Sequence, residues 1–562
     1  MNNKPIIYQL LPRLFTNYNA NCVPSGTIDQ NGSGKLRTIN PSILRSIADM
    51  GITHVWLTGV IEHAHCSDYT AYGIKRDNPH VVKGQAGSPY AISDYYDIDP
   101  DIAVDPRARM KEFEDTVERI HAAGLKVIID FVPNHVARRY RSDAKPADAP
   151  HDFGVDDYVN MFFAPSNNFY YIPGHAFAPT VDMGTGPDAY REFPAKASGN
   201  DCFTASPGQY DWYETVKLNY GIDPANGWRH FSPIPSTWHK MLHILHYWAD
   251  KGIDGFRCDM AFMVPLEFWQ WAIPQIKEKH PHIIFIAEIY DVNLYRPFIE
   301  IGGFDYLYDK VGLYDTLRDI VTNSRPAADI THAWQKIDGH QHNMLYFLEN
   351  HDEQRFASQQ FAGDARKAMA PMAVSALLGP GAVMLYAGQE LGEPGADAEG
   401  YSGADGRTTI FDYWSIDTLR RWLNSGRPTT KHLTDEEKEL RQSYSQLLNV
   451  ARSEKAITDG AFFDVMYVNP AGPRFNPQKH YAFLRRHNSE TILVVTNFDS
   501  EAAQVEVNLP QHAFNILSMP QGEFLTTNLL TGATELRLIS PDVTFATEVP
   551  AHGAVVWKWA DI

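Results

Sequence analysis

The sequence predicts an α/β fold: a (β/α)8 (TIM) barrel with an inserted subdomain after its third strand, followed by a C-terminal antiparallel β-sandwich. Three observations lead there. Eight short β-rich segments alternate with amphipathic helical stretches. Roughly 120 residues separate the third segment from the fourth, far more than one crossover helix needs. Near the C-terminus the apolar spacing changes from helical to alternating.

The segments are Ile6 to Leu10, His54 to Leu57, Val127 to Phe131, Gly255 to Cys258, Ile283 to Ala287, Phe304 to Leu307, Met344 to Leu348, and Ala382 to Tyr386. Helices between them stop at a glycine just ahead of the next strand, as at Ala123-Gly124-Leu125, where glycine accepts the left-handed conformation of a C-terminal cap. Before that stop, Met110, Phe113, Val117 and Ile120 recur at three- and four-residue steps and share one helical face. No GxGxxG follows the first strand, which favours a closed barrel over an open doubly wound sheet. Ala368 to Gly388 carries no formal charge and is long enough to raise the question of a membrane span. Pro371 and the Gly379-Pro380-Gly381 break predict instead a short buried helix and then a buried strand. A helix is expected around Asp435 to Arg452, and Val505, Val507 and Leu509 then alternate onto one strand face before a closing Val555 to Trp559. The expected division is residues 1–134 with 216–458 for the barrel, 135–215 for the insert and 459–562 for the sandwich.

The chain has 562 residues and 44% hydrophobic content, enough for at least one large core. Its net charge of −19 comes from interspersed residues of both signs and leaves no phosphate-binding footprint, so nucleic acid is not an expected partner. Cys22, Cys66, Cys202 and Cys258 are scattered without a CxxC, which fits reduced thiols. Met1 to Leu10 lacks a long apolar core and a small-residue cleavage site, so a cytoplasmic location is expected of a full-length chain, and a periplasmic or secreted one if a leader has been removed. Nothing in the sequence indicates an oligomeric state.

Four strings carry chemistry. Val127-Ile-Ile-Asp-Phe-Val-Pro-Asn-His135 is an apolar strand that ends in a carboxylate, an amide and an imidazole. Polar residues at the C-terminal ends of barrel strands point into the active site. Gly255-Phe-Arg-Cys-Asp259 ends in an Arg and an Asp two residues apart, so alternation sends both to one side, where the guanidinium holds Asp259 ionised as a nucleophile requires. Cys258 turns the other way and is expected to be a buried, inert thiol. Ile283-Ile-Phe-Ile-Ala-Glu288 ends in one glutamate, a candidate general acid. Phe347-Leu-Glu-Asn-His-Asp352 again finishes in polar groups.

In order and at the third, fourth, fifth and seventh strands, these strings resemble the four signature regions of the α-amylase family, glycoside hydrolase family 13. Ile7-Tyr-Gln-Leu-Leu-Pro-Arg-Leu-Phe15 is similar to that family's opening strand, and Val216-Lys-Leu-Asn219 to its additional region, so the resemblance spans most of the chain. It implies a retaining glycosidase acting on α-1,4-linked glucans, starch and maltooligosaccharides through a covalent glycosyl-enzyme, with nucleophile and acid about 5 to 5.5 Å apart. Asp259 would be the nucleophile, Glu288 the acid/base and Asp352 the transition-state stabiliser. His135 and His351 match histidines that hydrogen-bond the sugar, Arg257 the arginine that orients the nucleophile, and Tyr90 an aromatic platform. Asp130 would pair with Arg257. The chemistry needs no cofactor, while Asn134 matches a position that in many members binds a structural calcium.

Two departures bear on specificity. After Asp259 the chain reads Met260-Ala-Phe262-Met263, where many family amylases carry Lys-His on the leaving-group side. Gly87-Ser-Pro-Tyr90 lacks the aspartate with which exo-acting glucosidases grip a terminal glucose. A glucanotransferase, or a transglycosylase acting on sucrose or trehalose, is the alternative on the same barrel; a catalytically silent binding protein fits poorly with an intact acidic trio. His63-Ala-His65-Cys66 lacks a fourth ligand for zinc and is expected to place polar side chains on a surface loop after the second strand. Phe169, Tyr170 and Tyr171 fit a glucan cleft and subdomain packing equally well.

Overall fold

The computed structural model describes residues 4–337 and 339–561. Eight parallel strands close into a barrel: β1 (Ile6–Leu10), β2 (His54–Leu57), β3 (Lys126–Phe131), β4 (Gly255–Cys258), β5 (Ile284–Ala287), β6 (Tyr306–Tyr308), β7 (Met344–Phe347) and β8 (Ala382–Tyr386). Each pairs with its neighbours in sequence, and β8 returns to β1. Phe304 and Leu348, expected within strands, fall just outside them because ladder pairing rather than apolarity sets the ends. The strands are buried on both faces, which is why they read as continuous apolar runs.

The helix Arg109–Ala122 buries Phe113, Val117 and Ile120, as their spacing predicts, and is followed by Gly124 at φ +76°. A Cβ there would meet nothing within 4 Å, so backbone conformation and not space calls for glycine. The uncharged stretch forms the buried helix Met369–Leu377 and then β8. Among the described residues no helix is long and apolar enough to cross a membrane.

The long segment after β3 leaves and rejoins the barrel through an antiparallel pair, His135–Ala137 with Thr215–Lys217, in which His135 faces Lys217. A second excursion, after β2, pairs Ile61–His63 with Ile92–Ile98. Here one expectation fails: His63 and His65 are only 1% and 3% exposed. His63 lies 3.0 Å from both Asp99 and Arg13, because this long-range pairing folds chain over them.

Beyond the helix Asp435–Ser453 stand β9 (Ala461–Asp464), β10 (His480–His487), β11 (Glu490–Asn497), β12 (Ala503–Val507), β13 (Gly522–Asn528), β14 (Thr534–Ile539), β15 (Phe545–Val549) and β16 (Ala554–Ala560). They form a six-stranded antiparallel sheet, β9-β10-β11-β16-β13-β14, and a two-stranded one, β12-β15, with Val505 and Val507 buried as their alternation predicts.

Candidate active site

The polar ends of β3, β4, β5 and β7 meet at the C-terminal mouth of the barrel. Strand β4 lies between β3 and β5, with Arg257 beside Asp130 on one side and Ile286 on the other. Arg257 is fully buried; its Nη1 donates to Asp259 Oδ1 at 2.8 Å, and its Nη2 lies 2.8 Å from Glu288 Oε2. One rigid fork therefore holds both carboxylates. Nη1 is also 3.5 Å from Asp130, which accepts from the Trp56 indole at 3.1 Å, so Asp130 pairs with Arg257 as expected. Cys258, between Arg257 and Asp259, turns away and is buried, and burial pushes its thiol well above the ordinary range. Just past Asp259, Met260 adopts φ +44°, a left-handed turn that aims its N–H at Glu288 Oε2, 2.8 Å away.

The electrostatics follow from burial. Burial, and then the charge of Glu288, push the Asp259 carboxyl upward, while Arg257 pulls it down. Burial, the largest of these, prevails and the carboxyl stands well above its ordinary range, so Arg257 does not by itself hold Asp259 ionised as the sequence suggests; a proton on Glu288 removes one part of that upward push. Burial disfavours the charge on Arg257, but Glu288 and the other anionic neighbours more than offset it. Asp352 is raised by burial, yet the His351 imidazole 3.0 Å away wins and places it at about 2. The Gln9 amide lies 2.7 Å from His351 Nδ1, and Nε2 faces Asp352 and the Tyr90 hydroxyl at 2.5 Å. His135 is lowered to about 3 by burial and by Lys217, so its ring is neutral at working pH.

Asp259, Glu288, Asp352, Tyr90 and His135 line one cavity of about 300 Å³. Arg257, His351 and Asp130 are absent from its lining and brace residues that form it. Met260, of the departure noted in the sequence, also lines it, and sequence reasoning missed Lys83, Ser88, Trp212, Glu214, Thr215, Tyr290, Ile410 and Phe411, which complete the wall. Trp212 and Glu214 sit just ahead of Val216-Lys-Leu-Asn219, the only local signal available for them; Phe411 comes from the loop after β8 and had none. Phe169, Tyr170 and Tyr171 are buried and pack the insert instead.

Asn134 does not fit a calcium ligand. Its amide oxygen accepts from the Lys217 ammonium, which also lies 2.7 Å from Asp201 and 3.2 Å from the Met263 carbonyl. The cation among these oxygens is supplied by the chain, and its charge repels a second one.

Residues 9–296 and 314–456 match the family described as alpha amylase, catalytic domain, and residues 474–524 match the maltogenic amylase C-terminal domain. The α-amylase MalA of Haloarcula japonica is 27% identical over 62% of this chain and 40% of its own length. An α-amylase of Streptomyces lividans is 24% identical over 92% of this chain and 55% of its own. The chain thus spans about half, or less, of the length of these two curated relatives. A cyclomaltodextrinase of Geobacillus thermopakistaniensis is 22% identical over 98% of this chain and 76% of its own length. Among solved structures, the maltogenic α-amylase AmyB of Thermotoga neapolitana aligns over 99% of both chains with TM-score 0.62 and 19% identity, a likeness of fold.

Proposed function

Because the chain belongs to the α-amylase family, we propose that it is a retaining α-glycoside hydrolase that cleaves α-1,4-linked gluco-oligosaccharides and glucans. The observation that carries this reading is one buried guanidinium holding Asp259 and Glu288 at a cavity that Asp352 also lines. Asp259 attacks the anomeric carbon while Glu288 protonates the leaving oxygen; Glu288 then deprotonates a water that releases the sugar with retained configuration. Asp352, kept ionised by His351, faces the positive charge that develops on the ring. Neutral His135 bonds sugar hydroxyls, and Tyr90 offers an aromatic face to the apolar C–H side of the ring. The α-amylases and the cyclomaltodextrinase among the relatives support this substrate class.

The test is a time course with maltoheptaose, with the anomer of the first product recorded by NMR. Shorter products appearing first as the α-anomer are expected; no change in chain length, or an initial β-anomer, contradicts the reading. A second reading, transfer to another sugar, is favoured by Trp212 and Phe411, whose rings offer stacking faces for an acceptor. Lengthened products in the presence of excess maltose would establish it.

A further inference from the structure

Tyr290 lies two residues beyond Glu288 and lines the same cavity. Its hydroxyl donates to Glu288 Oε1. The other oxygen, Oε2, accepts from the Met260 N–H at 2.8 Å and lies 2.8 Å from Arg257 Nη2. The Met260 N–H donates to Oε2 and the Arg257 charge 2.8 Å away disfavours a proton on that atom, so the proton that an acid at this position delivers sits on Oε1. That is the atom Tyr290 touches.

We propose that Tyr290 is a positioning residue for proton transfer: its hydroxyl fixes Oε1 of Glu288 as the proton-carrying oxygen and holds it toward the scissile bond. The inference rests on Glu288 being the acid/base, as proposed above. Donation by the phenol suits the ionised carboxylate, the state in which Glu288 takes a proton from water. Once Glu288 is protonated, the bond reverses and the Oε1–H donates to the phenol oxygen until substrate arrives. The Oε1–H bond then breaks as the proton joins the leaving oxygen. The anomeric C–O bond breaks with its electron pair staying on that oxygen, and the bond from Asp259 to the anomeric carbon forms. Tyr290 gives up no proton, since burial and then the charges of Glu288 and Asp352 push its phenol well above the ordinary range.

Other groups facing Glu288 act on a different atom or at longer range: Arg257 on β4 meets Oε2, and Asp259 after β4 acts through charge. The Tyr290 ring is held from the side by Phe262, edge to face at 6.1 Å between centroids. The unusual Met260-Ala-Phe262-Met263 stretch and Tyr290 therefore form one packed unit.

The test compares two substrates that need the proton to different degrees. Maltotriose must have its departing hydroxyl protonated, whereas α-maltosyl fluoride releases fluoride with little help. Tyr290→Phe removes one oxygen and keeps the ring, and its thermal unfolding is measured alongside the wild type. The expected result is a fall of about 10- to 100-fold in kcat/KM for maltotriose, with less than about a twofold change for the fluoride. Equal losses on both substrates would mean that Tyr290 merely shapes the pocket, and no loss on maltotriose would mean that it does nothing; either overturns the proposal. A wild type that turns over the fluoride but not maltotriose, or neither, overturns the acid/base reading itself.

Discussion

Around Arg257 the rings of Trp56, Tyr90 and Tyr308 lie 5.3 to 5.5 Å from the guanidinium and keep water away, so its pull on Asp259 and Glu288 is stronger than that of a surface arginine. The same dryness governs single titratable groups far from the cavity. His54 opens β2 with 5% exposure, and burial, then Lys126, lower its imidazole to about 4 from an ordinary 6.5. The fold thus requires the neutral ring. Its contribution is fully present above pH 6.5 and is lost as the pH falls toward 4. Relative to His54→Gln, the wild type should lose about 1.4 kcal/mol of stability per pH unit between pH 6 and 4. Urea unfolding of both proteins at several pH values checks this, and a constant difference between them contradicts it.

Strand ends and strand pairs are where these residues become a site. Period-two alternation along β4 sends Arg257 and Asp259 one way and Cys258 the other, and parallel pairing with β3 and β5 sets Asp130 and Glu288 beside them. That much was legible in the sequence, because each carboxylate follows an apolar run in its own few residues. Lys217 was not: its role depends on the pairing of Thr215–Lys217 with His135–Ala137, across a segment too irregular to forecast. There its ammonium gathers Asn134, Asp201 and the Met263 carbonyl, joining the insert to the loops after β3 and β4. Lys217→Ala leaves the buried Asn134 oxygen without its donor and should cost about 1–3 kcal/mol. The wild type, supplying its own cation, should keep its Tm when calcium or EDTA is added. A rise of several degrees with calcium that persists when the separate carboxylate cluster Glu62, Asp94 and Asp97 is neutralised would contradict this account of the junction.

The molecule as a whole brings distant segments to one cavity. Tyr90 comes from the excursion after β2, Trp212 from the insert, Asp352 from the loop after β7 and Phe411 from the loop after β8. A closed barrel was legible from eight alternations, and the acidic trio from its strand ends. The aromatic wall was not, since Trp212 and Phe411 reach the cavity only through the tertiary course of long loops. His63 and His65 were misplaced for the same reason, buried by a hairpin whose two strands lie about thirty residues apart. The central claim is that this convergence makes Asp259 the nucleophile of a double displacement. Its most direct test is to trap the intermediate with a fluorinated α-glucosyl fluoride whose glycosyl-enzyme turns over slowly, then locate the added mass by peptide sequencing. The label should lie on Asp259 in the wild type and be missing from Asp259→Asn, which should also lose most turnover while keeping its fold. A label on another residue, or near-normal activity in Asp259→Asn, would contradict the account.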